Sequence, residues 1–579
     1  MFNKYYQSEL SYLRELGQEF AATHPELADV FAAKGGDPDV ERLLEGFSFL
    51  TARLRARVDD AVPELVESLA QLAFPHYVRT LPSSAIVEFT PSTQALRSRH
   101  AVPAGTELGA RPISGTSCAF RTTVDLELLP LEVERVSLDE SSARSTVLRL
   151  ALRTTEAGRA AVFHESGVRL HFAGPVAQAS TLFFWFLRHL KSVQYRGQGL
   201  ERELGDGKVE ACSLAAGGAL LPWPALGMDA PRVLQEYFLL PEALLFVDVH
   251  GLERISPDEA SDRFELAFRF EEPPSLPERL SNEHVRLNCV PVINLFETSA
   301  DPIPLDRRTH EYLLRASGID PHHMEIYEVH DVTGVRENHR ERVRYTRFFS
   351  FEHATRPRDE QSYFTIRRAL SPIDSGLDTY LSVMTPRDVP PQMAGETLSI
   401  ALTCTNRMLA ANLRAGDICM PTPRSPTVAR FRNITGVTPP IQPPLGDELY
   451  WRLLAHLAIN QRSLGEGDNL RALCALYCFE GDQQQARANR ARAGSIRGVK
   501  MSLARRVVQD LVLRGIRSEV AIDETQFASV GDAFVFGCAL DALFAALCPL
   551  NSFHQLQLQL HPSLADMPWP PRNGTKSPF

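Results

Sequence analysis

Four groups of residues in this chain have types and spacings that chemistry can use. His322, His323 and His330 lie close together, with Glu325, Glu328 and Asp331 among them. Imidazole and carboxylate are the usual ligands of zinc and non-haem iron, so this cluster defines one function class, a metal-dependent enzyme. The alternation over Met324–Val329 is that of a strand, however. It places His323 and Glu325 on one face and makes the set a polar strand edge. The acidic pairs Asp59-Asp60 and Asp37/Asp39 could do acid–base work. Both sit at predicted helix boundaries, where capping accounts for them. The run Arg487-Ala488-Asn489-Arg490-Ala491-Arg492, extended by Arg497, Lys500, Arg505 and Arg506, could hold a nucleic acid. No aromatic residues interleave with it, so base stacking lacks a platform. It reads as a solvated loop or as a surface facing an acidic partner. Cys474 and Cys478, four apart on a predicted helix, read as two small core residues on one face rather than as metal ligands.

Several familiar signatures are absent from the sequence. It has no GxxxxGK[ST] phosphate loop, no GxGxxG and no HExxH, no GxSxG, and no Cys/His spacing of a zinc ribbon or finger. The 579 residues carry 61 Lys and Arg against 71 Asp and Glu, a formal charge of −10. Such a balance argues against a chain built as a whole to neutralise phosphates or to lie on anionic lipid. Nine scattered cysteines without a CxxC pair speak against a disulfide framework and for a reducing cytoplasm. The N-terminus shows no apolar core or cleavage site of a secretory signal. The longest apolar run, Val535–Leu550, has Asp541 in its middle and reads as a buried helix rather than a membrane span.

The elements that must position these groups fall into three stretches. Phe2, Tyr6, Leu10, Leu13, Leu16 and Phe20 recur at spacings of three and four, the stripe of an amphipathic helix. His24-Pro25 breaks it. Asp37-Pro38-Asp39 then opens a second helix bearing Val40, Leu43, Leu44, Phe47, Leu50, Leu54 and Val58 on one side. A further helix is predicted around Pro63–Leu72. After Pro82 the period changes to two, at Ala85–Phe89, Val147–Arg153, Val168–Phe172 and Phe264–Phe270, between Gly, Pro and Ser clusters. This β-rich part runs to about residue 440. Helices interrupt it at Ser180–Leu190 and near Val233–Phe238. Val389-Pro390-Pro391 reads as a turn or linker, and Thr438–Pro444 as an extended, semi-rigid boundary. Beyond it, Leu449–Leu464 and Asp532–Leu547 have helical spacing, and Leu556, Leu558 and Leu560 alternate as a strand. The predicted class is α+β, divided as a helical arm over 1–80, β-rich domains over 81–200 and 201–440, and a mixed α/β part over 441–579.

Segments spread over nearly the whole chain resemble the TssF (ImpG/VasA) family, a subunit of the type VI secretion baseplate. They begin with Tyr5-Tyr6-Gln7, Glu9-Leu10, Leu13-Arg14-Glu15-Leu16 and Glu19-Phe20-Ala21. Asp37–Phe47 and Phe49–Arg53 form the most recognisable block, and Pro75-His76-Tyr77 with Pro82-Ser83 continues it. Glu236-Tyr237-Phe238 with Pro241 and Gly251-Leu252, Pro291–Phe296 and Cys404-Thr405-Asn406-Arg407 are similar to central motifs. Trp451-Arg452-Leu453 with His456-Leu457, and Asn551-Ser552-Phe553, extend the likeness to the C-terminal part. Met408-Leu409-Ala410 departs from the proline-containing ending of the family.

The resemblance implies a scaffold without catalytic residues or cofactors, distantly related to a phage baseplate wedge protein. It implies a cytoplasmic location, docked at the inner-membrane complex during assembly. The partners it implies are TssG, with two TssF-like chains per TssG, a second copy of the chain itself, TssK, TssE and the VgrG spike. Neither nucleic acid nor direct membrane insertion is expected. The helices of the arm are expected to join TssG in a shared bundle, which makes Tyr6, Leu10, Leu13, Leu16, Phe20, Leu43, Phe47, Leu50 and Leu54 the candidate partner-binding residues. The alternative is a metal-dependent enzyme using the His322/His323/His330 region. Charge is segregated along the chain. The first eighty positions hold 8 Lys and Arg against 13 Asp and Glu, far in sequence from the arginine-rich segment. That pattern suits protein–protein docking.

Overall fold

The computed structural model describes residues 2–24, 38–40, 42–53, 70, 74–92, 96–142, 145–164, 167–204, 209–212, 218–223, 231–277, 279–306, 309–336, 342–348, 362–372, 374, 376–384, 396–444, 452, 463–479, 483–508 and 511–574. They belong to two compact units, one of residues 1–78 with 444–454, the other of 79–443 with 455–579.

The first unit opens with the helix Phe2–Thr23. Its end is built locally. Thr23 Oγ1 donates to the Phe20 carbonyl at 2.8 Å, and the His24 ring stacks on Phe20 at 4.3 Å. Proline follows, as the sequence requires of a helix stop. A second helix occupies 38–40 and 42–53. Within this unit the Arg452 guanidinium donates to the Tyr77 hydroxyl at 2.8 Å. Asp37, Leu54, Val58, Asp59, Asp60 and all but Ala70 of the helix expected at Pro63–Leu72 lie outside the described residues, as do Val389-Pro390-Pro391 and most of Leu449–Leu464.

The second unit is β-rich. Each period-two segment of the sequence lies within a strand, because alternate side chains must reach a core. Ser84–Pro91 pairs antiparallel with Cys289–Ile293 and with Ala429–Asn433 in a five-stranded sheet completed by Ala119–Thr122 and Glu107–Gly109. Val87, Phe89, Phe120, Val290 and Val292 fill its core. A second five-stranded sheet runs in the order Leu200–Glu203, Leu190–Gly197, Arg263–Glu271, Ser145–Thr154, Leu131–Ser142. A four-stranded sheet holds Val168–Phe172 between Phe246–Val249 and Val285–Leu287. The largest sheet, eight-stranded among the described residues, centres on Glu325–Arg336 beside Glu396–Thr405.

Towards the C-terminus, Ile496–Val508 and Leu511–Asp523 form a long antiparallel hairpin, and Ser552–His561 adds parallel to its second strand. Leu556, Leu558 and Leu560 are buried, as their alternation predicts. The helix Val530–Leu547 packs on this sheet. Among the described residues it alone is long and apolar enough to cross a membrane, and 89% of that window is buried inside the chain. It is a core helix, in agreement with its sequence.

Three local expectations need correction. The helix expected at Ser180–Leu190 begins at Val176, is α-helical to Phe184 and continues as a π-turn over Trp185–His189. The added first turn, Val176–Ala179, contains the polar but buried Gln178, which interrupts the apolar pattern. The hydroxyls of Ser180 and Thr181 donate within the helix, Ser180 Oγ to the Val176 carbonyl at 2.5 Å and Thr181 Oγ1 to the Ala177 carbonyl at 2.6 Å. The run Arg487–Arg492 is not a solvated loop but part of the helix Gln483–Gly494. The proline-rich stretch near 440 is extended, as expected, but anchored: Leu81 and Ile441 exchange backbone hydrogen bonds at 2.8 and 3.0 Å.

Candidate partner-binding arm and the buried junctions

The arm carries its apolar residues outward. Leu16 and Phe20 on the first helix are 41% and 43% exposed, and Leu43, Phe47 and Leu50 on the second are 72%, 59% and 58% exposed. Tyr6, Leu10 and Leu13 are half-buried, and Leu54 lies outside the described residues. Tyr12 and Phe49 are exposed as well. Periodicity did not single out Tyr12, because it lies off the stripe that Leu10 and Leu13 define. Seven of the 19 exposed large apolar side chains among the described residues therefore fall within positions 12–50. Single exposed apolar residues are ordinary on a protein surface, whereas large contiguous exposed apolar patches are characteristic of contacts.

The histidine cluster is dispersed into structural contacts. His323 Nδ1 bonds Thr116 Oγ1 at 2.8 Å, and His330 Nε2 bonds Thr403 Oγ1 at 2.6 Å. His322 sits in a short 3₁₀ turn, its N–H donating to the Asp320 carboxylate at 2.9 Å. The carboxylates are equally engaged. Glu325 is buried and accepts from Thr80 Oγ1, from Gln442 Nε2 at 2.8 Å and from the Leu377 N–H at 3.0 Å. Glu328 pairs with Arg79 at 2.5 Å, and Asp331 with Arg344 at 3.1 Å. Two bulges, at Ile326/Glu328 and Val329/Asp331, shift the strand's register, so simple alternation does not describe its faces. Among the described residues no three His, Cys, Asp or Glu side chains come together in a way that could hold a metal ion.

Two of the segments that carried the family resemblance, Pro291–Phe296 and Cys404–Arg407, meet each other in the interior. Asn294 and Asn406 are joined twice, Asn294 Nδ2 donating to Asn406 Oδ1 at 2.7 Å and the Asn406 N–H to Asn294 Oδ1 at 2.7 Å. The Ala119 backbone joins both. The next residue, Arg407, has φ +53°, a left-handed conformation that places its guanidinium on Asp374 at 2.5 Å and on the Pro321 carbonyl at 3.0 Å. The 3₁₀ turn Arg407–Asn412 follows, where the sequence departs from the family pattern. Buried Glu236 accepts from the N–H groups of Leu220 and Leu221 at 3.0 and 3.3 Å and from Arg232 at 3.2 Å. Burial is the largest influence on its carboxyl and raises the pKa. These contacts hold strand ends and loops together, and the sequence contained their residues but not their pairing.

The arginine-rich helix turns one side inward, with Asn489 and Arg492 buried and Arg487 and Arg490 exposed. Arg492 pairs with Asp532 through Nε and Nη2 and lies over the Tyr237 ring at 5.6 Å. Asn489 Nδ2 donates to the Phe238 carbonyl at 2.8 Å. Cys474 is buried on the neighbouring helix Gly467–Leu476, and Cys478 follows that helix, its Sγ donating to the Cys474 carbonyl at 3.3 Å. Burial raises both thiols, Cys478 to about 12, so neither supplies a thiolate near neutrality.

Comparison with known proteins places the chain in a family. The family described as type VI secretion system, TssF, matches residues 1–576. The chain is 28% identical to the type VI secretion system component TssF1 of Pseudomonas aeruginosa, over 99% of this chain and 98% of that protein. Its fold is similar to a chain of the TssK-TssF-TssG baseplate subcomplex solved by cryo-electron microscopy, with a TM-score of 0.80 at 30% identity over 93% of this chain and all of the other. A chain of a second baseplate complex from the type VI secretion system shares the fold, with a TM-score of 0.59 at 23% identity over both whole chains. The match spans the arm, the β-rich body and the C-terminal sheet alike, and the chain belongs to the TssF family of the type VI secretion system.

Proposed function

We propose that this chain is a structural subunit of the type VI secretion baseplate that assembles with TssG and TssK, and that its N-terminal arm is the contact with TssG. The observation that carries the reading is the likeness to a chain of the TssK-TssF-TssG subcomplex at a TM-score of 0.80. The exposed residues Leu16, Phe20, Leu43, Phe47 and Leu50 support the choice of the arm, since large apolar side chains left in water gain most from a partner. Burying each stabilises a complex by roughly 1.5–3 kcal/mol. The finer reading has two such chains sharing one TssG, with TssE and VgrG as further neighbours, in a cytoplasmic wedge docked at the inner-membrane complex. The division near residues 80, 200 and 440 belongs to the same proposal, and limited proteolysis would test it.

The decisive test is co-expression with TssG, followed by mass measurement of the purified complex. Leu43→Asp combined with Phe47→Asp is expected to abolish co-purification, a loss of roughly two to four orders of magnitude in affinity. A folded double variant that keeps its TssG sinks the assignment to the arm.

A further inference from the structure

The far end of the C-terminal hairpin has features that neither the arm nor the TssG contact explains. Among the described residues Ile496–Val508 is an edge strand, paired on one side only with Leu511–Asp523. Its base is covered. Gly467 approaches Gly498 so closely that an added Cβ would lie 2.8 Å from the Gly498 Cα, and Gly465 faces Met501. Beyond Met501 the residues Ser502, Leu503, Arg505, Arg506 and Val507 are exposed, Leu503 by 91%. The third strand, Ser552–His561, supports the hairpin only as far as Arg514, so the end is a two-stranded ribbon.

The register gives this ribbon one distinctive face. Leu503 lies opposite Ile516, Arg505 opposite Arg514, and Val507 opposite Val512. Two like charges directly across a strand pair repel. Arg505, Arg506 and Arg514 have no carboxylate partner among the described residues. From Lys500 to Arg517 the sequence holds Lys500, Arg505, Arg506, Arg514 and Arg517 against the single acid Asp510. Charged residues on an edge normally discourage strand addition. Here they discourage only basic or neutral additions, and they lie between apolar residues that an incoming strand would cover. A second copy of this chain would bring the same arginines and be repelled.

We propose that Ser502–Val508 is a strand-addition site for an extended acidic segment of another protein, whose carboxylates lie beside Arg505, Arg506 and Arg514 while its apolar residues cover Leu503 and Val507. A peptide is favoured over nucleic acid, because the edge offers backbone hydrogen bonds and the ribbon offers no aromatic platform.

The test uses the full-length protein and a fluorescein-labelled extended peptide whose one face reads valine, glutamate, valine at alternate positions, with glutamate also on its other face, followed by anisotropy at low and high salt. Binding is expected to weaken with salt and to fall at least about tenfold in Arg505→Glu combined with Arg514→Glu, a loss of about 1.4 kcal/mol. Arg505→Lys with Arg514→Lys should retain it. Both variants should keep the parent melting temperature, which separates loss of the site from loss of the fold. Amide exchange should slow at Ser502–Val508 when the peptide is added. Equal binding by the Glu variant, equal binding of a valine–lysine peptide, protection elsewhere in the chain, or tighter binding of an oligothymidine would each overturn the proposal.

Discussion

Leu43, Phe47 and Leu50 leave more than half of their surface in water, whereas Asn294, Asn406 and Glu325 keep 1%, 2% and 2% of theirs. The arm and the body thus place their residues in opposite ways. In the body, polar side chains lie inside, and those at the junctions find partners: the two asparagines bond each other, and Glu325 accepts from three donors. A buried polar group is tolerated only when it is satisfied, because its desolvation is otherwise uncompensated. In the arm, apolar side chains are outside and gain nothing until something covers them. The body is stabilised from within, and the proposed role of the arm would cover its exposed apolar residues with a partner. Substitutions should therefore act through stability in the first region and through assembly in the second.

The largest effect on stability is expected at Arg492. Its guanidinium joins the helix Gln483–Gly494 to Asp532 on the helix Val530–Leu547, with 8% and 3% of the two side chains exposed. Arg492→Ala leaves a buried carboxylate alone, a cost of about 3–5 kcal/mol. Replacing the whole pair, Arg492→Met with Asp532→Leu, removes both charges and should recover most of that loss. Urea unfolding of the two variants separates the cost of an orphaned charge from the worth of the pair. Equal destabilisation by both would show that hydrogen bonding to these groups, not the charge, holds the helices.

Protonation probes the same buried polarity. His554 is fully buried on the strand Ser552–His561, bonded to Ser518 Oγ at 2.9 Å and stacked on Phe544, and burial lowers its pKa from 6.5 to about 4. The unfolded chain takes up a proton below pH 6.5, while the folded chain resists until about pH 4. Stability from this group is therefore complete above pH 6.5 and is lost as the pH falls towards 4, by about 3 kcal/mol in all. His554→Gln should flatten that part of the stability profile relative to the parent. A parallel pair of profiles over this window would refute the assignment.

A smaller loss, about 1–3 kcal/mol, is expected for Asn406→Ala, which strands the Ala119 N–H and removes one of the two acceptors of Asn294 Nδ2. This junction also shows how much could be read in advance. Alternation at Val168–Phe172 and Phe264–Phe270 placed strands correctly, because period-two burial is a local consequence of strand geometry. The stripe Leu10–Leu13–Leu16 placed the first helix for the same reason. The pairing of Asn294 with Asn406 was not legible, although both lie in segments that carried the resemblance. They are 112 residues apart, and nothing in either segment specifies the other. The arginine-rich run misled in the opposite direction. Its composition describes a solvated surface, and only the distant Asp532 and Tyr237 make Arg492 an interior residue. The His322/His323/His330 cluster likewise dissolved because Thr116 and Thr403 claim two of its rings.

The smallest effect is the sharpest edge of the comparison. Leu43→Ser and Phe47→Ser remove apolar surface that is mostly in water already, so neither opens a cavity in the isolated chain. Each should change the stability of the purified protein by no more than about 0.5 kcal/mol, the range of ordinary surface substitutions. The same changes in the body, for example Phe120→Ser or Leu398→Ser where the side chains are fully buried, would cost several times as much. Calorimetry of the isolated variants gives the answer without any partner present. If Leu43→Ser lowers the melting temperature as far as Leu398→Ser does, the arm's apolar residues serve an internal core. If it does not, their surface is reserved for a contact that the isolated chain lacks.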